Sequence, residues 1–195
     1  MNQKDALVIV DAQKDFCPGG ALAVADGDQI IPALNRYIEV FTKSRCSIFA
    51  TRDWHPEKTS HFKDYGGPWP VHCVQGTRGA EFHPGLRLGS VAIVSKGMAA
   101  DQDSYSGFQA SSSSGTLLAD LLRRKGVERI FVGGLATDYC VKHTVLDGLK
   151  HGFKVVLLAD SVRAVNLRPE DGAVAIDEMV RAGALRIDDT SALPD

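Results

Sequence analysis

Short runs of branched apolar residues alternate with amphipathic segments, and this alternation narrows the folds open to the chain. Each run is short and rich in Val, Ile or Leu, which predicts a buried strand. The six predicted strands are Ala6–Val10, Ser47–Arg52, Val91–Val94, Arg129–Gly134, Phe153–Asp160 and Ala184–Asp188. Strands that alternate with helices form a parallel sheet with both faces covered. We therefore expect an α/β protein with three α/β/α layers and a six-stranded, mainly parallel sheet.

The segments between these strands carry helical signals. Apolar residues recur at helical spacing from Ile30 to Phe41, as on the buried face of an amphipathic helix. A second helix is predicted in GTLLADLLRRKG, where basic residues precede Gly126 as a stop signal. The other two predicted helices run from Asp138 to about Gly152 and from Pro169 through Ala182.

Length and composition indicate one globular domain. The 195 residues predict a single domain over 1–195. A net charge of −2 without a Lys/Arg block gives no electrostatic reason to expect nucleic acid or an anionic membrane as partner. The first apolar run is too short for a signal peptide, and no stretch is long enough to span a bilayer. The four cysteines match neither a disulfide framework nor a CxxC zinc site, so we expect a cytoplasmic protein with reduced thiols.

Chemically useful side chains follow the predicted strands. Asp11 follows the first strand, Asp53 the second and Lys96 the third, while the GLATDYC turn with Cys140 follows the fourth. In parallel sheets the ligand site lies beyond the carboxyl ends of the strands. These four side chains are therefore expected to converge on one rim.

Cys140, Asp11 and Lys96 form a set suited to nucleophilic catalysis. A thiol must lose its proton before it attacks a carbonyl, a carboxylate can accept that proton, and an ammonium can stabilise the charges. A position near a helix N-terminus is expected to favour the thiolate. Taken singly, each residue has a structural reading: Asp11 as a turn cap, Lys96 as a solvated charge and Cys140 as core filler. Their joint appearance after three strands favours the catalytic interpretation.

A long stretch at about residues 53–89 is rich in Pro, Gly, His and aromatic residues. Loops of this length are typically functional or disordered, and the histidines and tryptophans here favour function. Asp53 and His55 lie two residues apart, which on an extended chain directs both toward one ion, and His61 and His72 follow. Carboxylate plus imidazole is a common ligand set for zinc, iron or manganese. The alternative is that these histidines make ordinary hydrogen bonds; we interpret the stretch as a metal-binding loop insertion.

Six motifs occur in an order that resembles a known family. They are VDAQKDFCPGGAL, TRDWHP, WPVHCVQGT, SKG, DSYSGF and GLATDYCVKHTVLDGLKHG. From about Leu7 to Ser161, the chain resembles the nicotinamidases (pyrazinamidase type) of the isochorismatase-like cysteine hydrolases. The resemblance implies the Rossmann-like topology of that superfamily.

The resemblance also implies roles for the strand-end residues. Cys140 matches the nucleophile, Asp11 the general base and Lys96 the third catalytic residue. The backbone amides of Ala136 and Cys140 match the oxyanion donors, and a cis peptide is implied before Ala136.

In the same family, Asp53, His55 and His72 match the ligands of one divalent metal ion per chain. Zinc is the first expectation, with iron and manganese as alternatives. His61 departs from the pattern of many relatives, and we retain it as a candidate fourth ligand. The metal is implied to hold the ring nitrogen of the substrate, directly or through water.

Phe16, Trp69 and Tyr105 match residues that pack against the substrate ring. For Phe16 in particular, a role as a plain core aromatic stays open.

The expected activity is hydrolysis of nicotinamide to nicotinate and ammonia through a cysteine thioester, a reaction of NAD salvage. The first alternative is another hydrolase of the superfamily, acting on a different small amide or ureido compound. Isochorismatase proper is disfavoured by the cysteine and the Asp-x-His loop, and a non-catalytic metal- or ligand-binding protein by the complete Asp–Lys–Cys set. The expected partner is a small-molecule substrate, and a homo-oligomer is neither predicted nor excluded.

Overall fold

In the computed structural model, which describes residues 1–193, six strands form one sheet. They are β1 (Asp5–Val10), β2 (Ser47–Asp53), β3 (Ala92–Lys96), β4 (Arg129–Leu135), β5 (Lys154–Arg163) and β6 (Leu185–Ile187). The order across the sheet is β3-β2-β1-β4-β5-β6, and all five neighbouring pairs of these strands run parallel. This is the doubly wound order, whose switch point lies between β1 and β4. The predicted α/β fold is confirmed, with a wholly parallel sheet among these strands.

The apolar run Ala6–Val10 forms most of β1, which lies inside the sheet between β2 and β4. All six of its residues are buried. Ala6, Val8 and Val10 enter one hydrophobic core, whereas Leu7 and Ile9 enter the other. Because successive side chains point to opposite faces of a strand, the residues from Ala6 to Val10 supply both cores, as expected for a strand covered on both faces.

Four α-helices cover the two faces of the sheet. They are α1 (Ile30–Lys43), α2 (Leu118–Arg124), α3 (Lys142–Lys150) and α4 (Asp171–Arg181). The apolar side of α1 packs into the core that holds Leu7 and Ile9. Leu122 of α2, Val145 of α3 and Met179 of α4 pack into the core on the opposite face, which completes the three layers. Within residues 1–193, every helix is too short or too polar to cross a bilayer.

Several boundaries differ from the sequence-based prediction, among them the end of β3 at Lys96 instead of Val94 and the start of α3 at Lys142 instead of Asp138. The last helix begins at Asp171 rather than Pro169, because the Asp171 side chain accepts hydrogen bonds from Arg168 and closes a turn before the helix. Strand β5 continues past Asp160 to Arg163. Its pairing with β4 changes register after Val132–Leu157 and resumes at Gly134–Val162, so the end of β5 pairs with the end of β4 beyond a bulge.

The stretch between β2 and β3 is ordered by contacts rather than by long elements. Isolated bridges join Phe62 to Trp69 and His55 to Val74, and a single 3-10 turn covers Lys63–Tyr65. A third bridge links Phe82 to Gln13, just after β1. The loop is therefore fastened to the carboxyl-end rim of the sheet.

Candidate active site

Four side chains meet where β1, β2, β3 and β4 end. Lys96 Nζ lies 2.9 Å from Asp11 Oδ2 and 3.5 Å from Cys140 Sγ, and it also contacts Asp53 Oδ1. All four residues are at least nine-tenths buried. The structure thus brings together the strand-end residues that the sequence predicted to converge.

Asp11 is held in one orientation by its neighbour on β2. Its backbone is left-handed, with φ of 44°, and its N–H donates to the Thr51 carbonyl at 3.2 Å. Thr51 Oγ1 donates to Asp11 Oδ1 at 2.6 Å. Because one carboxylate oxygen is held by the hydroxyl, the other is presented to Lys96 and Cys140.

Burial and the two carboxylates set the charges at this cluster. Burial disfavours the Lys96 ammonium, but Asp11 and Asp53 outweigh it and hold the pKa of Lys96 well above its ordinary value. Burial likewise opposes ionisation of Asp53, yet Lys96 and His55 hold its pKa below the usual range. For Asp11, burial together with the nearby Asp53 carboxylate exceeds the effect of Lys96, and its pKa is raised. The cluster therefore combines a permanent cation with a carboxylate that is ready to take up a proton.

Cys140 lies in a π-helical turn, Thr137–Val141, between β4 and α3. Thr144 Oγ1 donates to the Cys140 carbonyl at 2.6 Å and fastens this turn to α3. The Leu135–Ala136 peptide that precedes the turn is cis.

The expected thiolate-favouring environment of Cys140 is wrong for the protein without substrate. Burial, followed by the Asp11 and Asp53 carboxylates, raises the pKa of the Cys140 thiol well above its ordinary value, although Lys96 opposes this. Burial and the two carboxylates within reach together disfavour the thiolate more than the Lys96 ammonium favours it. The resting side chain is a neutral thiol beside a proton acceptor.

Three loop histidines form a second cluster. Their ring centroids lie 4.6 Å apart for His55–His61, 5.0 Å for His55–His72 and 5.4 Å for His61–His72. One nitrogen from each ring lies within 4.8 Å of the others. The loop and the end of β2 thus converge on one small volume, and His61 lies in it with the two predicted histidine ligands.

Each of these rings uses Nδ1 for a contact outside the cluster. His55 Nδ1 lies 3.0 Å from the Gly97 carbonyl, His72 Nδ1 lies 2.7 Å from the Pro70 carbonyl, and His61 Nδ1 contacts Asp103. An acceptor beside Nδ1 favours the tautomer that carries the ring proton on Nδ1. The lone pair on Nε2 is then free to bind a metal, which is the usual arrangement around metal-bound histidines.

The donor set fits one divalent metal ion. His55 Nε2 is buried without a hydrogen-bond partner among the described residues, and such an atom is costly unless a ligand takes it up. Asp53 Oδ2 lies 3.7 Å from His55 Nε2 and 4.0 Å from His72 Nε2. Burial lowers the pKa of His72 to about 4, so this ring stays neutral and able to ligate near pH 7. Neutral imidazoles and a carboxylate are the ligands that zinc, iron and manganese accept.

Gln13 is a site residue that the sequence analysis missed. Its Oε1 accepts from the Asp53 N–H at 2.7 Å, and its Nε2 donates to the carbonyls of Asp53 at 2.8 Å and Ala80 at 2.9 Å. The side chain therefore holds both backbone polar groups of Asp53 and ties the loop to the rim. The sequence offered only its position shortly after the first strand, two residues beyond Asp11.

The three predicted ring-packing residues line one cavity. Phe16, Trp69 and Tyr105 surround it together with Cys140, and Trp69 Nε1 donates to Tyr105 Oη at 2.9 Å. The cavity leaves about 30 Å³ for the centres of water-sized spheres and is open at its mouth. Asp53, His61 and His72 also border it, so the thiol and the histidine cluster face a common space.

Comparison with known proteins agrees with this arrangement. Residues 5–189 match the Isochorismatase domain family. The chain is 42% identical to a nicotinamidase of Escherichia coli (strain K12) over 196 residues, which cover 92% of each chain. A solved pyrazinamidase of Pyrococcus horikoshii, in complex with zinc, is 48% identical with a TM-score of 0.88, covering 95% of this chain and 99% of its own. A protein of L. infantum in complex with nicotinate is 40% identical with a TM-score of 0.85, covering 98% and 96%. The chain therefore belongs to the Isochorismatase domain family.

Proposed function

We propose that this protein is an amidohydrolase that converts nicotinamide to nicotinate and ammonia through a thioester on Cys140. The observation that carries the proposal is the placement of Cys140 Sγ and Asp11 Oδ2 around Lys96 Nζ on the cavity shared with the histidine cluster. The named relatives, a nicotinamidase and a pyrazinamidase, support an activity on aromatic carboxamides.

In the first half-reaction, Asp11 Oδ2 takes the proton of the Cys140 thiol as Sγ bonds to the carboxamide carbon. The raised pKa values of both groups match this transfer, because neither the free thiolate nor the buried carboxylate is favoured alone. The oxyanion that forms faces the backbone amides of Ala136 and Cys140. The ammonium of Lys96 stays charged throughout and offsets the negative charge as it moves.

The tetrahedral adduct collapses when the C–N bond breaks and the nitrogen takes the proton from Asp11, which releases ammonia. Asp11 then takes a proton from a water molecule as the oxygen of that water attacks the thioester carbon. The C–S bond breaks, the acid leaves, and the proton on Asp11 returns to sulfur. After one turnover Cys140 is again a thiol and Asp11 again a carboxylate.

Asp53, His55, His61 and His72 are the residues that would hold the metal ion, and zinc is the proposed ion. When bound, the ion supplies a Lewis acid for the pyridine nitrogen of the substrate. Asp53 also contacts Lys96 through its other oxygen, so the chain itself links the ring-binding end of the cavity to the reacting end.

Phe16, Trp69 and Tyr105 are proposed to hold the aromatic ring between them. Orientation of the ring brings the carboxamide carbon against sulfur, and such positioning accounts for a large share of the rate in intramolecular reactions. We treat residues 1–195 as one hydrolase domain, with residues 53–89 as its metal-binding loop insertion.

The direct test is incubation of purified, metal-loaded protein with nicotinamide while ammonia and nicotinate are measured. We expect equal amounts of both products from the wild type and none from the Cys140→Ala variant. Maleamate and ureido compounds serve as comparison substrates. Turnover of one of those without turnover of nicotinamide would reject the assigned substrate but retain the amidohydrolase chemistry.

A further inference from the structure

Ser104 carries a buried hydroxyl to which the proposed mechanism assigns no role. The residue is 8% exposed, and its Oγ has no hydrogen-bond partner among the described residues. A buried hydroxyl left unpaired costs free energy that a ligand can restore. Ser104 also lines the cavity that holds Cys140.

The backbone places Ser104 at the reacting end of this cavity. Its carbonyl accepts a hydrogen bond from Lys96 Nζ at 3.2 Å, and the same ammonium lies 3.5 Å from Cys140 Sγ. The adjoining Asp103 contacts His61 of the histidine cluster. Ser104 therefore lies on the segment between the Lys96 and His61 contacts and borders the same cavity as Cys140.

Most other acceptors on the cavity wall are already engaged. Asp53 is shared between Lys96 and the histidine cluster, and Tyr105 Oη accepts from Trp69. The Nε2 atoms of His61 and His72 face the metal position. Ser104 Oγ is the buried side-chain oxygen on this wall that remains uncommitted.

We propose that Ser104 Oγ accepts a hydrogen bond from the carboxamide N–H of the substrate and thereby selects amides over esters. This inference rests on the proposed function. A primary amide presents two N–H donors: Asp11 faces one at the reacting carbon, and Ser104 takes the other. The contact fixes the rotation of the amide plane, so that the carbonyl oxygen points to the amides of Ala136 and Cys140.

The test compares nicotinamide with methyl nicotinate, which keeps the ring and the acyl carbon but has no N–H. Ser104→Ala should lower kcat/KM for nicotinamide about fivefold to tenfold, the usual effect of one lost hydrogen bond. Its kcat/KM for the ester should equal that of the wild type. The matched control is Ser90→Ala, an exposed serine before β3, which should leave both values unchanged.

Thermal unfolding separates this role from a structural one. Removal of a hydroxyl that has no partner in the chain should leave the Tm of the substrate-free protein unchanged or slightly raised. A lower Tm together with equal losses on amide and ester would show that Ser104 only supports the fold, and would overturn the proposal.

Ligand binding gives a second readout that needs no turnover. In the Cys140→Ala background, adding Ser104→Ala should weaken nicotinamide binding about fivefold to tenfold and leave methyl nicotinate binding unchanged, as measured by calorimetry. Equal Kd changes for both ligands, or none for nicotinamide, would overturn the proposal. A wild type that binds and hydrolyses neither compound would instead refute the proposed function.

Discussion

Lys96 Nζ lies 2.9 Å from Asp11 Oδ2 in a fully buried ion pair that joins the ends of β3 and β1. The same nitrogen contacts Asp53 and Cys140. One compact ammonium therefore fixes the spacing of two carboxylates and a thiol. A buried charge network of this kind is sensitive to the shape of its cation as well as to its charge.

Lys96→Arg should therefore abolish most of the activity although the charge is retained. The planar guanidinium cannot occupy the position of Nζ without displacing Asp11 or Cys140, and displacement of reacting groups by about 1 Å costs about a hundredfold in rate. Steady-state kcat/KM for nicotinamide measures the loss. Lys150→Arg, at an exposed pair with Asp147, is the control. Near wild-type turnover in Lys96→Arg would show that Lys96 supplies only diffuse charge.

Cys140→Ala should reduce kcat at least about 10⁴-fold because no nucleophile remains. Cys46→Ala and Cys17→Ala should keep most of the activity, since neither residue borders the cavity that holds Cys140. Trapping of an acyl adduct by mass spectrometry on rapidly quenched wild type should place the added mass on Cys140. Full activity of Cys140→Ala would end the covalent mechanism.

Benzamide should be a much poorer substrate than nicotinamide, by about 1–3 kcal/mol in transition-state binding, because it has the ring and the amide but no ring nitrogen. Chelation, or His72→Ala, should shrink this preference, since the ring nitrogen then loses its partner. The measurement is kcat/KM for both substrates with and without chelator. Equal rates on the two amides in the untreated wild type would show that the metal does not hold the ring.

His61→Ser should weaken metal binding at least about tenfold, because loss of a ligand costs no less than loss of a residue that only orients a ligand. The structure places His61 with His55 and His72, and Asp103 orients its ring. Competition with a coloured chelator gives the affinity without any activity assay. His83→Ser, outside the cluster, is the control. Unchanged metal affinity in His61→Ser would show that His61 is not a ligand and that Asp53, His55 and His72 are the three protein ligands.

Asp5→Asn should destabilise the fold at neutral pH by about 1–3 kcal/mol. Asp5 accepts from Arg129 Nε at 2.7 Å and Nη2 at 2.9 Å. Burial opposes its ionisation, but Arg129 outweighs burial and holds the pKa of Asp5 below its ordinary value of 3.8. A lowered pKa stabilises the fold above that value, and this stabilisation is lost as the pH falls through the pKa of the folded state.

Denaturant unfolding at several pH values tests this sign. The gap in unfolding free energy between wild type and Asp5→Asn should be full at pH 7 and should close as the pH falls from the ordinary value of 3.8 through the lowered pKa of Asp5 in the folded state. Asp64→Asn, on the exposed part of the loop, should show no such gap. A gap that persists at low pH would mean that packing rather than charge is lost.

The sequence predicted the positions that depend on chain order and missed those that depend on packing. Asp11, Lys96 and Cys140 could be grouped because strand ends share a rim in any parallel sheet. Thr51 and Gln13 could not, because a strand threonine and a polar residue after a strand have many other uses. The raised pKa of Cys140 likewise follows first from burial of the thiol and then from the Asp11 and Asp53 carboxylates, and burial depth is not readable from local sequence.

Each central residue of the site is delivered by a different strand, from Asp11 at β1 to Cys140 after β4. The four strands are separated by long segments of chain. Their carboxyl ends become neighbours only when the strands have paired in register. No contiguous fragment that lacks one of them can hold the cluster. The rate at which turnover recovers during refolding therefore reports the final step of sheet assembly. Turnover should recover later than the helical signal.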